Sequence, residues 1–329
     1  MVGLDSIGST VVSPNDIRAA AGRIAGIAAR TPALSSRALD ALIGARVLLK
    51  PEVLQHTGSF KFRGALNRIS TLTDEQRERG VIAFSSGNHG QAVALACALR
   101  GIAATVVLPA DAPGTKVEAT RDHGAEILTY DRLTEDREAI ARRLATERGL
   151  TLVAPFDDPD VIAGQGTAAL ELLDDAGSLD LLIAPVGGGG LIAGCAIAVH
   201  AVNPDARIVG VEPVLADDYR RSLAAGERVR VEPQTTLADA LGAPMPGKLT
   251  FAINRGHLHS IVTASDAELV GAMRFAFEHL KLVLEPSGAA ALAGLLSGRI
   301  AVAPGDTVGV ILSGGNVDPA SFLSLLSAP

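Results

Sequence analysis

The sequence predicts an α/β protein built from two open parallel sheets that are covered by helices. Apolar runs rich in valine, isoleucine and leucine alternate with longer helical patterns along the chain. Strands without a polar face are typical of parallel sheets, because helices cover such sheets on both sides. With 329 residues the chain has room for about two domains, and its 48% of hydrophobic residues can fill substantial cores.

The predicted strands and helices alternate from residue 46 onward. The strands are short apolar runs at 46–49, 81–85, 104–108, 126–128, 151–154, 181–186, 207–211 and 307–312. The helices include the segments 90–100, 115–123, 134–148 and 191–202. This alternation is the pattern of βαβ units in a parallel sheet. Domain boundaries are expected near 70–80 and near 157–164.

Three glycine-rich turns follow predicted strands. They have the sequences SSGNHG at 85–90, VGGGGL at 186–191 and SGGN at 313–316. Parallel sheets bind ligands at the carboxyl ends of their strands. We therefore expect all three turns on the binding rim of their sheets.

The second turn contains four successive glycines ahead of an apolar helix: Gly187, Gly188, Gly189 and Gly190. Glycines let the backbone turn tightly and present N–H groups at the positive end of the helix dipole, which is a phosphate site. One alternative is close packing of helix on sheet. Another is a dinucleotide fold, because residues 188, 190 and 193 fit GxGxx[GA] and Glu212 ends the next strand. The dinucleotide interpretation leaves Lys61 and the other two turns without a role, so a phosphorylated aldehyde cofactor is favoured.

Lys61 lies in the segment TGSFKFRG, residues 57–64, just ahead of a predicted helix. Phe60 and Phe62 flank it in a chain that has only 3% aromatic residues. Partial desolvation favours the neutral amine, which is the form that condenses with an aldehyde. The alternative is a solvated lysine whose stem covers apolar neighbours. Together with the glycine-rich turns, the pattern favours a Schiff base at Lys61.

The first turn supplies polar groups for a ring hydroxyl or a substrate carboxylate, from Ser86, Asn88, His89 and Gly90. Ser86 is a candidate to bind a carboxylate or to exchange a proton on the substrate face opposite Lys61, with helix capping as its alternative. Asn88 and His89 have ordinary turn chemistry as their alternative.

Ser313 follows the last predicted strand and is a candidate hydrogen-bond partner of a pyridine nitrogen. The alternative is that its hydroxyl only stabilises the following turn. A neutral hydroxyl leaves that nitrogen largely unprotonated, which favours elimination over transamination.

Five ordered motifs make the chain resemble the threonine/serine dehydratase and serine racemase family. These motifs are SFKFRGA, SSGNHG, AGQGT, GGGGL and SGGN, and the resemblance runs from about residue 51 to residue 318. The family consists of pyridoxal-phosphate enzymes of the tryptophan-synthase-β-like fold, fold type II. The resemblance implies a small domain of residues 80–156, inserted into a large domain of residues 1–79 and 157–329, and a homodimer.

The same resemblance implies specific roles around pyridoxal 5'-phosphate. Lys61 would be the Schiff-base lysine, and Phe60 would lie beside the ring. Asn88 would contact the ring hydroxyl, the turn of Gly187 to Gly190 the phosphate, and Ser313 the ring nitrogen. It also implies a divalent cation between Glu212, the carbonyl of Ala216 and Asp218. Oxygen ligands completed by water suit Mg²⁺ or Ca²⁺, and solvated loop acids are the alternative.

The motifs do not all fall on one branch of the family. Ser86 and the segment 285–288 resemble racemases, whereas 155–158 and 246–250 resemble threonine dehydratases. Ala240 departs from the glycine that usually follows Thr-x-Ala-Asp, near the expected substrate.

The leading prediction is β-elimination of a hydroxy-amino acid such as L-threonine or L-serine to a 2-oxo acid and ammonia, with Lys61 as general base. The alternatives are racemisation of serine or another amino acid, with Ser86 as the opposite-face proton carrier, and elimination from 3-hydroxyaspartate. A nicotinamide-dependent oxidoreductase and a non-catalytic binding module are the alternatives from other classes.

Composition also limits the partners. A formal net charge of −7 and a pI near 5.5 argue against nucleic acid, which needs clustered Lys and Arg. Cys97 and Cys195 lie in apolar helical patterns, so neither a disulfide framework nor a metal site is indicated. Residues 1–12 lack the pattern of a signal peptide. The uncharged stretch 181–204 has the length of a membrane span, but Pro185 and the four glycines divide it into a short strand and a short helix. We therefore expect a cytoplasmic enzyme with a small amino-acid substrate and no membrane partner.

Overall fold

The computed structural model describes residues 12–85, 87–112, 114–232 and 235–327. Its strands, in chain order, are β1 Leu34–Ser35, β2 Arg46–Pro51, β3 Val81–Phe84, β4 Ala104–Pro109, β5 Glu126–Tyr130, β6 Thr151–Leu152, β7 Leu181–Pro185, β8 Arg207–Pro213, β9 Ser260–Ala264 and β10 Thr307–Leu312. One sheet has the order β1-β2-β10-β7-β8-β9, and the other has the order β5-β4-β3-β6. Apart from the antiparallel pair of β1 with β2, the strand pairs are parallel. The predicted α/β class with two parallel sheets is confirmed.

The α-helices of the described residues cover these sheets. They are α1 Pro14–Ile24, α2 Arg37–Ile43, α3 Lys61–Ser70, α4 Asp74–Arg79, α5 Asn88–Arg100, α6 Gly114–Arg121, α7 Arg137–Arg148, α8 Pro159–Ala176, α9 Gly190–His200, α10 Asp218–Ala225, α11 Lys248–His257, α12 Asp266–Phe275, α13 Pro286–Leu296 and α14 Pro319–Ser327. A π-helical turn, Ala276–Leu280, extends α12, and short 3-10 turns lie at Glu52–Leu54, His56–Gly58 and Asp239–Leu241. Across the described ranges no helix is both long and apolar enough to cross a membrane.

All eight predicted strands are present, and the helix ends differ from their predicted positions by a few residues. The helix α7 begins at Arg137 rather than at 134, because the carboxylate of Asp136 accepts hydrogen bonds from the N–H groups of Glu138 and Ala139 and caps the helix there. The helix α5 begins at Asn88, two residues before its predicted start. Consequently Asn88 and His89 lie in the first turn of a helix, where backbone N–H groups are free to bind an anion.

The strands of the four-stranded sheet all lie between residues 81 and 152, inside the predicted small domain. The helix α3 lies outside that range, yet its Phe62, Leu66 and Ile69 belong to the same apolar core as Val81 of the small sheet. The same helix also packs against α8, which covers the larger sheet. The division into 1–79 with 157–329 and 80–156 therefore remains our proposal, with α3 in contact with both parts.

A buried group of charges fixes α3 to the larger sheet. Arg63 is fully buried, and its guanidinium lies 2.7 Å from carboxylate oxygens of both Glu52 and Glu171. Lys50, on β2, lies 2.7 Å from the other oxygen of Glu171. Burial alone would lower the pKa of Arg63, but the two carboxylates raise it above its ordinary value. The charge-assisted bonds therefore hold α3 in place at Arg63, which is two residues after Lys61.

Candidate active site

The turns after β3 and β10 meet at the start of α3. The N–H of Phe60 donates to the carbonyl of Ser313 at 3.1 Å, and Ser59 forms an isolated bridge with Gly314. The side-chain amide of Asn316 donates to the amide oxygen of Asn88 at 2.8 Å. The carboxyl ends of β3 and β10 thus bring two of the glycine-rich turns to Lys61, as expected of parallel sheets.

Lys61 is the first residue of α3 and is half-buried. Its Nζ donates to the carbonyl of Pro155 at 2.7 Å and lies 5.0 Å from the centre of the Phe60 ring. Burial lowers the pKa of Lys61 to about 8. A larger fraction of the amine is then neutral near neutral pH than at its ordinary pKa, and the neutral form is the state needed to attack an aldehyde.

The four-glycine turn lies between β7 and α9. Gly189 has a φ of +92° and caps α9 without a side-chain hydrogen bond, a conformation that favours glycine. The carbonyl of Gly188 accepts from the hydroxyl of Thr250 at 2.6 Å, and that of Gly189 accepts from the amide of Asn254 at 3.1 Å. Because a trans peptide directs its N–H away from its C=O, the following N–H groups face the opposite side. They point away from α11 at the positive end of α9, which suits a phosphate.

The helix α11 is itself held by a residue of the segment 155–158. Both carboxylate oxygens of Asp157 accept backbone N–H groups at the start of α11, at 3.0 Å from Lys248, 2.8 Å from Leu249 and 3.1 Å from Thr250. The two segments that resemble threonine dehydratases are therefore in contact. Through Thr250, Asp157 supports the glycine turn, a role that the sequence did not reveal.

Gly187, the first glycine of the turn, packs against the 3-10 turn that contains Ala240. A side-chain carbon at Gly187 would lie 3.1 Å from Cα of Leu241 and 3.2 Å from the carbonyl oxygen of Ala240. The N–H of Ala240 donates to the hydroxyl of Ser287 at 3.1 Å. The position at which the chain departs from the family pattern is therefore adjacent to the predicted phosphate turn.

His89 and Gly90 follow Asn88 in the first turn of α5. His89 is 2% exposed, and its Nε2 lies 2.9 Å from the carbonyl of Val153, which can only accept. Nε2 therefore carries a proton, and in the neutral form of the imidazole Nδ1 is a free acceptor. Burial, and then the charge of Lys61, lower the pKa of His89 to about 3. Gly90 is buried against the carbonyl of Ser85, where a side-chain carbon would not fit.

Several buried polar atoms around Lys61 have no hydrogen-bond partner within the described ranges: Thr57 Oγ1, Ser59 Oγ and His89 Nδ1. Buried polar atoms are rarely left unpaired unless a ligand or water satisfies them. Ser313 is 4% exposed and lies beside this group. The set fits a polar aromatic cofactor bound beside Lys61. Ser86, the predicted proton carrier, lies outside the described residues.

The predicted metal ligands form a separate buried site at the end of β8. Glu212 is fully buried, and its oxygens accept the N–H groups of Tyr219 at 3.1 Å and Arg220 at 2.9 Å. Burial raises the pKa of Glu212 to about 8 and that of Asp218 to about 7. One oxygen of Asp218 is buried without a partner among the described residues, and Ala216 is buried beside them in sequence.

The chemistry of this site fits a cation, because two buried carboxylates lack a compensating charge. In the described ranges no three His, Cys, Asp or Glu side chains are grouped to hold a metal, so the carbonyl of Ala216 and water would complete the ligands. The same contacts weaken the dinucleotide alternative. The carboxylate of Glu212 lies under the backbone N–H groups of Tyr219 and Arg220 and is fully buried, where a bulky ribose has no access.

Comparison with known proteins identifies a matching family and several similar enzymes. Residues 24–314 match the family model described as pyridoxal-phosphate dependent enzyme. The chain is 49% identical over 314 residues to L-threo-3-hydroxyaspartate ammonia-lyase from a Pseudomonas species, covering 95% of this chain and 98% of the relative. It is 47% identical to the protein of the same name from Saccharomyces cerevisiae, covering 95% of each. The solved structure of maize serine racemase superposes with a TM-score of 0.91 at 41% identity, covering 95% of this chain and 96% of that one.

Proposed function

The chain belongs to the family of pyridoxal-phosphate-dependent enzymes, and from this membership we propose that it is a 3-hydroxyaspartate ammonia-lyase. The predicted family, fold type, cofactor and enzyme class are confirmed by its relatives. At the level of reaction class, the relatives also support the predicted β-elimination. The observation that carries the finer proposal is the identity of 49% and 47% to two enzymes of that name over nearly the whole chain. L-Threonine and L-serine, the leading predicted substrates, become secondary candidates.

The proposed reaction converts 3-hydroxyaspartate to oxaloacetate and ammonia. Water leaves from Cα and Cβ, and the resulting imine takes up water as ammonia is released, so the atoms balance. Pyridoxal phosphate supplies an aldehyde for the substrate amine and a ring that withdraws electrons from Cα. In this proposal Lys61 would hold the aldehyde, Phe60 would lie beside the ring, and Ser313 would face the ring nitrogen. The N–H groups of the four-glycine turn would bind the phosphate.

Lys61 is the proposed general base for the Cα proton. Its pKa near 8 places the amine close to the working pH, where a base is most effective. His89 stays neutral beside it, because burial lowers its pKa to about 3. A neutral imidazole adds no positive charge that would further lower the basicity of the Lys61 amine. Asn88, His89 and Gly90 then offer a free acceptor and helix N–H groups toward the substrate.

A cation near the turn at 85–90 would favour binding of the second carboxylate of 3-hydroxyaspartate. We assign this role to Arg137. Its guanidinium carbon lies 6.0 Å from the centre of the Phe84 ring, and Phe84 is the last residue of β3, directly before the turn at 85–90. Arg137 is exposed and has no ion pair within the described ranges, whereas Arg142 of the same helix pairs with Glu138 at 2.7 Å. A cation without a carboxylate partner is available for a dicarboxylic substrate.

The test is a panel of L-threo-3-hydroxyaspartate, L-threonine and L-serine, in which oxo acid and ammonia are both measured. We expect the highest kcat/KM for hydroxyaspartate. Arg137→Ala should lower that value on the order of 100-fold and leave the value for serine nearly unchanged. The matched control is Arg142→Ala, which removes a paired arginine from the same helix. A preference of the unaltered protein for threonine or serine would refute the proposal.

Racemisation is the second candidate, because maize serine racemase superposes closely. Chiral analysis of serine in heavy water separates the two, since elimination alone does not accumulate the other enantiomer. The cation between Glu212, Ala216 and Asp218, the homodimer and the cytoplasmic location also remain proposals. A thermal melt with Mg²⁺, Ca²⁺ or chelator tests the cation, and sedimentation tests the dimer.

A further inference from the structure

A chain of hydrogen bonds joins three turns around Asn88 and ends on a buried carboxylate. The amide nitrogen of Asn88 donates to Oε1 of Glu285 at 2.6 Å. The amide nitrogen of Asn316 donates to the amide oxygen of Asn88 at 2.8 Å and to the carbonyl of Thr57 at 2.6 Å. Glu285 and Asn88 are 6% and 8% exposed. We call these four residues the Asn88 network.

The carbonyl of Thr57 fixes the direction of the hydrogen bonds in the Asn88 network. The carbonyl of Thr57 only accepts, so Asn316 must direct its NH₂ group inward. Asn88 must then present its oxygen to Asn316 and its NH₂ group to Glu285, which as a carboxylate also accepts. One N–H of Asn88 remains for a ligand. The orientation of this amide therefore follows from its neighbours and does not depend on the ligand.

The backbone makes room for the network at Gly314. The N–H of Glu285 donates to the carbonyl of Gly314 at 3.2 Å. A side-chain carbon at Gly314 would overlap the carboxylate of Glu285 and would lie 3.2 Å from the amide nitrogen of Asn88. Glu285 also precedes α13 without capping it through its side chain. The carboxylate thus faces Asn88 and not the end of its own helix.

We propose that Glu285 and Asn316 are positioning residues that hold the amide of Asn88 with its remaining N–H toward the ring hydroxyl of pyridoxal phosphate. A group that is already oriented binds its ligand without losing side-chain freedom. The inference rests on the proposed contact of Asn88 with the cofactor, and it holds whichever amino acid is the substrate. Its failure is therefore separate from a failure of the substrate assignment.

The test is a double-mutant cycle on cofactor affinity, read by equilibrium dialysis of pyridoxal phosphate and by the visible absorption maximum of the loaded protein. Glu285→Ala and Asn88→Ala should each weaken binding about tenfold, as expected for a hydrogen bond involving a charged group. In the Asn88→Ala background, Glu285→Ala should have almost no further effect. Effects that multiply in the double variant, or an unchanged affinity in Glu285→Ala, would overturn the proposal.

Two further variants separate orientation from fold and charge. Glu285→Gln keeps an oxygen acceptor for Asn88 and should restore most of the affinity. Asn316→Asp places an acceptor against the oxygen of Asn88 and should reproduce the loss; if Glu285→Ala does not fold, this variant carries the test in its place. Failure of Glu285→Gln to restore binding would contradict the orienting role. The matched control is Glu268→Ala, which removes a carboxylate from the first turn of α12, where it pairs with Arg299, and should leave cofactor affinity unchanged.

Discussion

Replacing Arg63 by methionine is expected to destabilise the protein strongly, because it leaves buried carboxylates without their partner. Arg63 and Glu52 are both fully buried, and the guanidinium bonds Glu52 and Glu171 at 2.7 Å each. Glu171 retains Lys50 at 2.7 Å, whereas the carboxylate of Glu52 keeps only the hydroxyl of its neutral neighbour Thr31 as a hydrogen-bond partner within the described ranges. Removing one member of a buried ion pair costs about 3–5 kcal/mol. That loss is a large part of the ~5–15 kcal/mol by which domains are stable.

The assay is urea unfolding of the apoproteins, because bound cofactor would add its own stabilisation. Arg63→Met/Glu52→Gln should recover most of the loss, since the second change removes the uncompensated charge. The control Arg142→Met breaks the exposed pair with Glu138 and should change the unfolding free energy by less than about 1 kcal/mol. A loss below about 1 kcal/mol in Arg63→Met, or no recovery in the double variant, would refute the reasoning.

Further predictions concern the amine, the cation and acid stability. Lys61→Ala should abolish oxo-acid formation and the visible absorption band, and a retained band would exclude Lys61 as the cofactor lysine. The rate at which apoprotein captures pyridoxal phosphate should rise with pH, reach half its maximum near pH 8 and level off above that, because burial lowers the pKa of Lys61 to about 8 from an ordinary 10.5. Mg²⁺ or Ca²⁺ should raise the melting temperature, and Glu212→Gln/Asp218→Asn should remove that increase. Burial would raise the pKa of Glu171, but Arg63 and Lys50 lower it below 4.5; its stabilisation is therefore present above pH 4.5 and is lost in acid titrations as pH falls through the lowered pKa.

The parts of the site that could be predicted from sequence are those formed by residues that are adjacent in the chain. The four glycines ahead of an apolar helix, and a lysine between two phenylalanines, each indicate their chemistry locally. Glu285 and Asn88 are 197 positions apart, and Asp157 is 91 positions from Lys248. Such contacts depend on which strands become neighbours, and strand order in a parallel sheet is not visible in one segment.

The missed strands also have physical reasons. The strand β1 has only two residues, too few for a sequence pattern, and it is defined by its pairing with β2. In β9, Ser260 and Thr263 interrupt the apolar run, so the segment lacks the uninterrupted apolar character by which most of the other strands were predicted. The start of α5 was predicted two residues late because Asn88 and His89 are common turn residues.

The double attachment of α3 has a consequence for any relative rotation of the two sheets. On the side of the larger sheet, α3 is held by directional ionic bonds through Arg63. On the other side, Phe62 and Leu66 meet apolar neighbours, whose contacts have no preferred direction and permit sliding. If the two sheets rotate when substrate binds, slippage is therefore expected at this apolar surface. Lys61 would stay in register with the strands of the larger sheet, and Asn88, which is bonded to Glu285 and Asn316, would lie at the pivot of the rotation.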